Sequence, residues 1–197
     1  MGLINFAPYH TQGDFLRSFP RGGVAVEVGV LYGANALNID KYIQPDQLIL
    51  IDAWDVCFDM TTAERLDGDT VLKRCKDRFA DKFNVEFWRG KSQDKIPELG
   101  DKSVSFAYLD ACHRYEECLA DLEAMLPKMA PGGWLCGHDY CEIEQYGVVR
   151  AVAVFLDRHN LKLSKLTDVP LGNVTGSNRK HYQPQTAYNS YGIQIPE

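Results

Sequence analysis

No stretch of the chain approaches the roughly 20 consecutive apolar residues that carry a helix across a bilayer, so a helical membrane span is excluded. A surplus of positive charge is also missing. Lys and Arg number 21 against 27 Asp and Glu, a net charge of −6. This removes any general attraction to phosphate backbones or anionic membranes and disfavours nucleic acid as a partner. The six cysteines (Cys57, Cys75, Cys112, Cys118, Cys136 and Cys141) form no C-x-x-C pair, and no signal-like segment opens the sequence. The expectation is reduced thiols in a cytoplasmic protein. Cys136, His138 and Cys141 offer zinc-binding atoms, but Cys136 is expected to point into the core from a strand, which argues against zinc. There is no G-x-x-x-x-G-K-[ST] run, hence no P-loop, and no internal repeat.

What is present is an ordinary globular composition, 45% hydrophobic and 24% charged over 197 residues, enough for one sizeable core. Residues 1–21 read as a short N-terminal segment with a brief helix in "HTQGDFLRSF", and residues 22–197 as a single domain. Strand-like runs at 23–29, 48–54, 85–90, 104–110 and 133–139 alternate with helical patterns near 33–43, 69–82, 93–98, 115–128 and 147–159. Val71, Leu72, Cys75 and Phe79 share one helical face. Tyr115, Cys118, Leu119, Leu122, Met125 and Leu126 form another. Pro131-Gly132-Gly133 reads as a turn before the fifth strand. Runs at 161–167 and 190–195 then suggest two strands joined by a long hairpin. The fold class is therefore α/β: a Rossmann-like, doubly wound, mostly parallel seven-stranded sheet with helices on both faces and a C-terminal antiparallel hairpin. Such sheets bind ligands beyond the carboxyl ends of their strands, here 29–35, 52–56, 90–94, 110–114 and 138–142.

"EVGVLYG" is a strand-to-helix turn with Gly29 and Gly33, but Leu31 stands where a dinucleotide fingerprint has its middle glycine, the one that lets backbone approach a pyrophosphate. Glu27, an acid inside an apolar strand, needs a partner such as a cationic ligand group or loop amides. Asp52 ends the second strand 19 residues past Gly33, where a carboxylate suits a ribose diol. A nucleoside without phosphates but with a positive charge satisfies all three, and S-adenosylmethionine is one.

The E-x-G-x-x-x-G turn resembles the first motif of class I S-adenosylmethionine-dependent methyltransferases. "VEVGVLYGAN", "YLDACHRYEECLADLEAMLPKMAPGGWLCGHDY" and "YGVVRAVAVFL" resemble the small bacterial branch that includes macrocin-type sugar O-methyltransferases. "GKSQDKIPEL" resembles the adenine-contacting segment of catechol O-methyltransferase. The resemblance spans roughly 22–195 and implies a site. Glu27, Gly29 and Gly33, with Val30 and Tyr32 of the same turn, shape the methionine end. Asn35 replaces a serine that contacts the cofactor carboxylate. Asp52 binds ribose with Ala53 and Trp54 nearby, and Ser92 and Gln93 approach the adenine. Lys91 departs from the acid common in this branch.

In metal-dependent members, the positions of Asp110, His138 and Asp139 hold a divalent ion, commonly magnesium. His138 substitutes a softer nitrogen for an expected acid or amide and tilts preference toward manganese, iron or another transition metal, or leaves the site empty. His113, three residues past Asp110, takes the place of a basic lysine and is the candidate general base, so His113 and Asp110 are the catalytic expectation. The implied activity is O-methylation of a small hydroxylated acceptor, a sugar or natural-product hydroxyl. A cofactor-binding protein without transferase activity and a nucleotide-linked oxidoreductase are the alternatives. With no cap domain, loops 55–68, 140–147 and 168–189 are expected to form the acceptor pocket, with Tyr182, Tyr188 and Tyr191 as lining and a second subunit as a further contributor.

Overall fold

Both faces of "VAVEV" and "LILID" are covered, which is why their apolar residues run on without the alternation of a half-exposed strand. In this computed structural model, which describes residues 9, 11–58, 65–141, 146–167 and 189–197, they form β1 (Val24–Val28) and β2 (Gln47–Asp52). β5 (Val85–Arg89), β6 (Val104–Leu109) and β7 (Met129–Tyr140) complete the parallel part. β8 (Leu163–Leu166) and β9 (Asn189–Gln194) close the sheet antiparallel. The order is β5-β2-β1-β6-β7-β9-β8, seven strands as expected. Strand order reverses between β1 and β6, so the switch-point crevice opens between their carboxyl ends.

Side chains alternate between two cores. Ala25, Leu48, Leu50, Phe106 and Tyr108 pack on one face with the helices α2 (Ala34–Ile43) and α3 (Gly68–Arg78). Val26, Val28, Ile49, Ile51, Ala107 and Leu109 pack on the other with α5 (Tyr115–Met125) and α6 (Val148–His159). The short helix α1 (Gln12–Arg17) is capped by Thr11, which accepts the Asp14 N–H at 3.0 Å. It places Phe15 and Leu16, both fully buried, in the first of these cores. At about 1.5–3 kcal/mol for each side chain, this anchors the N-terminal segment to the sheet.

Three details differ from the sequence reading. Residues 55–68 are not all loop: β3 (Val56–Phe58) and β4 (Arg65–Asp67) pair as a two-stranded antiparallel sheet. The Pro131-Gly132-Gly133 turn lies inside β7, where the register slips against β6 and Gly132 adopts φ 74°. The helices near 93–98 and 115–128 pass into 3₁₀ turns at Ile96–Glu98 and Leu126–Lys128, each containing a proline that tightens the last turn. α4 (Ser92–Lys95) is the α-helical remnant of the first. Among the described residues no helix is long and apolar enough to cross a membrane.

Candidate active site

The crevice over the switch point has a volume of about 1400 Å³, larger than the roughly 300–1,000 Å³ of common small-molecule sites and roomy enough for two ligands together. Its lining comes from the carboxyl ends of β1, β2, β5, β6 and β7.

The β1–α2 turn is built on left-handed backbone. Gly29 has φ 87° and lies so close to the Asp110 carbonyl that a Cβ would collide with it. Leu31, with φ 51°, adopts the same conformation at a steric cost. Asp52 sustains it: Oδ2 accepts from the N–H groups of Val30 at 2.8 Å and Leu31 at 2.9 Å, and Oδ1 accepts from Trp54 N–H at 2.8 Å. The Trp54 indole N–H in turn donates to the Leu31 carbonyl at 3.0 Å. Asp52 therefore clamps two loops, with one of its roughly four lone-pair sites left over. Trp54, expected beside the cofactor, is fully buried behind Ala53 and packs near Phe87. Gly33 caps α2 without lining the crevice, whereas Val30, Tyr32, Asn35 and Ala53 do line it.

Glu27 is 1% exposed. Asn35 Nδ2 donates to its Oε1 at 2.8 Å, so the amide expected to meet a cofactor carboxylate is engaged with Glu27. Glu27 Oε2, Asn35 Oδ1 and the Tyr32 hydroxyl are buried without a partner. Burial drives the Glu27 carboxyl well above its ordinary pKa; the Asn35 hydrogen bond opposes this, and the charges of Asp110 and Asp52 reinforce it. Unanswered acceptors around a buried acid suit a cationic donor such as an ammonium group.

At the other end, Asp110 follows β6 and Asp139 lies within β7 with φ 54°, a strained conformation of the kind that collects at functional sites. His113 Nε2 stands 2.7 Å from Asp139 Oδ2 and 3.6 Å from Asp110 Oδ1. His138 Nδ1 lies 3.3 Å from Asp139 Oδ1 and 4.0 Å from Asp110 Oδ1. The donor atoms that converge within 4.8 Å of one another belong to Asp110, His113 and Asp139, so His113 takes the place in the cluster that the sequence reading gave to His138. Despite its short contact, His113 Nε2 is buried and has no hydrogen bond of good alignment. Two carboxylates and an off-axis imidazole nitrogen facing one point fit a divalent cation.

The nearby carboxylates of Asp110 and then Asp139 raise the His113 pKa to about 10, against the effect of burial. Such an imidazole holds its proton at neutral pH. His113 thus lies between two acids that favour its charged form. Burial pushes Asp139 up, but the two imidazoles outweigh it and hold the carboxylate below its usual range. Burial raises Asp110 despite His113. Burial lowers His138, yet Asp139 and Asp110 together leave it raised.

Within the 140–147 loop expected at the acceptor pocket, the Tyr146 ring lies 4.8 Å from that of His113, and the Gly147 N–H donates to the His113 carbonyl at 2.7 Å. Residue type alone did not single out either contact with His113. Tyr191, expected near an acceptor, is 1% exposed in the sheet core, and Cys136 is fully buried. Tyr182, Tyr188 and residues 59–64, 142–145 and 168–188 lie outside the described residues.

Residues 26–140 match a family described as a methyltransferase domain. No curated protein matches the chain at significant sequence similarity. Among solved structures, an rRNA methylase from Streptococcus thermophilus aligns with TM-score 0.64 at 15% identity, over 99% of this chain and 100% of that one. The N-methyltransferase NodS from Bradyrhizobium japonicum gives 0.63 at 13%, over 95% and 94%. Aeropyrum pernix fibrillarin, with natively bound S-adenosyl-L-methionine, gives 0.57 at 13%, over 88% and 67%. Identities this low establish a common fold.

Proposed function

The chain belongs to the methyltransferase-domain family, and within it we propose an S-adenosylmethionine-dependent enzyme that methylates an oxygen of a small hydroxylated acceptor with the help of a divalent metal. The observation that carries this reading is the convergence of Asp110, His113 and Asp139 in the same crevice as the unpartnered acceptors of Glu27 and Asn35. One end answers a cation on the cofactor; the other answers a metal.

S-adenosylmethionine supplies a methyl group on a sulfonium, already a competent leaving group. Glu27 and Asn35 hold its amino end, Asp52 offers its remaining lone pair to the ribose, and Ser92 and Gln93 face the base. A divalent ion at Asp110, His113 and Asp139 supplies positive charge that makes a neighbouring hydroxyl more acidic. Such a charge would offset the two carboxylates that favour the proton on His113, so that the imidazole would release it to solvent on binding the ion through Nε2. His138, held in its charged form by Asp139 and Asp110, would become a nearby imidazole able to accept a proton only once that charge offset the two carboxylates. A net charge of −6 argues against an RNA acceptor.

The test is methyl transfer from labelled S-adenosylmethionine to panels of sugars, phenols, amines and RNA, with magnesium, manganese or a chelator. Transfer to hydroxylated acceptors that a chelator abolishes supports the reading. Transfer to amines or RNA, or turnover indifferent to the chelator, refutes it.

A further inference from the structure

Among the described residues, Phe83 is the large apolar side chain that stands fully exposed. It lies in the turn between α3 and β5, and that turn is held from both sides. The Lys82 N–H donates to the Phe79 carbonyl at 2.9 Å, Lys82 Nζ pairs with Asp40 at 3.0 Å, and Asn84 Nδ2 donates to the Pro45 carbonyl at 2.9 Å. Fixed backbone, not a fraying end, presents the ring.

The same end of the sheet, opposite the crevice, carries an apolar hollow of about 190 Å³ at the amino ends of β1, β6 and β7. Phe19, Pro20, Phe106, Pro131 and Trp134 wall it. Phe19 packs edge-on against Phe106 and Trp134, with ring centres 5.2 and 5.0 Å apart, so the hollow is already formed. Arg21 stands exposed on its rim, hydrogen-bonded to Gln44 at 3.3 Å. Asp81 is exposed two residues before Phe83. Neither of these charges forms an ion pair among the described residues.

A projecting aromatic beside an acid and an aromatic-walled hollow beside a base are complementary. Carried on one molecule, they make a contact between copies. We propose that the chain forms a symmetric dimer through this amino-end face, each Phe83 seated in the hollow of the second copy and each Asp81 facing its Arg21. In the order β5-β2-β1-β6-β7, the knob and the hollow lie about 10–15 Å apart at one strand spacing each. One two-fold axis near the start of β2 therefore satisfies both contacts at once, and the assembly closes at two. Both crevices face away from the interface and stay open.

The experiment is equilibrium sedimentation of the full chain from low micromolar to several hundred micromolar. A reversible monomer–dimer equilibrium is expected. Phe83→Asp, at a side chain with no packing to lose, is expected to weaken it by about 30-fold or more, as removal of a central anchor does. Arg21→Asp and Asp81→Arg are each expected to weaken it several-fold. Combined they are expected to restore it, because the pair is only exchanged, and mere loss of stability would not recover in this way. Four results would each overturn the proposal: a wild type that stays monomeric, growth past the dimer, a Phe83→Asp variant that associates as the wild type does, or a double reversal no tighter than the single ones.

Discussion

His113 Nε2 and Asp139 Oδ2 stand 2.7 Å apart across the carboxyl ends of neighbouring strands, with Asp110 as the third corner. The pair is close enough for a strong charge interaction, yet the nitrogen has no well-aligned hydrogen bond. A contact of this kind is what remains when side chains are arranged around a common point rather than toward each other.

Neutralising that corner is expected to weaken metal affinity. Asp139→Asn is expected to weaken manganese binding by about tenfold or more, read by calorimetry, while affinity for S-adenosylhomocysteine changes little. Manganese affinity equal to the wild type would show that the cluster is only an ion pair.

The raised His113 pKa has a definite sign. A histidine that gains stability from its charged form gives that stability in full below its unfolded pKa of about 6.5 and loses it as pH rises toward about 10. In metal-free protein the melting temperature is expected to decline between these limits more steeply for the wild type than for His113→Gln. Parallel curves would sink the assignment. Metal binding near pH 8 is expected to release a proton, detectable as a buffer-dependent enthalpy.

Glu27 runs the other way in kind but not in sign. Its raised carboxyl pKa means the fold is favoured while Glu27 is protonated, below its unfolded pKa, and loses that benefit as pH rises through the raised folded value. Glu27→Gln is expected to melt no lower than the wild type at neutral pH without ligand. It should bind S-adenosylmethionine about 10- to 100-fold more weakly, the loss of one charge-assisted hydrogen bond. Equal affinity would remove Glu27 from the cationic end.

Gly29 and Gly132 separate backbone strain from collision. Both have positive φ, but a Cβ at Gly132 meets nothing nearer than 3.8 Å, whereas one at Gly29 strikes the Asp110 backbone. Gly132→Ala is expected to cost about 1 kcal/mol and Gly29→Ala more than about 3 kcal/mol, by urea unfolding. A cost for Gly29→Ala no greater than for Gly132→Ala would mean that β1 and β6 separate easily at the crevice.

β1, β2 and β6 were legible because each is apolar enough to show burial on its own, whereas β8, four residues with none buried, was legible only from its place in the order of elements. β3 and β4, three residues each, are too short to carry a period. The proline and glycines at 131–133 imitate a turn where the strand in fact bulges. In the site, residue types at strand ends drew attention to Asp110, His113, His138 and Asp139. Which of them converge is decided by side-chain direction, which spacing does not report. Asp52 and Trp54 show the same limit. An acid at the end of β2 reads as a ligand for ribose, but three backbone amides come to it from two separate loops, a tertiary arrangement invisible to local pattern.

The grip of Asp52 on Val30, Leu31 and Trp54 has a kinetic corollary. The loop is already locked in its awkward shape when the chain folds, so the entropy of ordering it would be spent before any ligand arrives. Encounter with a nucleoside is then expected to be a single fast phase in stopped-flow, with no lag from loop rearrangement, and releasing the grip with Asp52→Ala should introduce one.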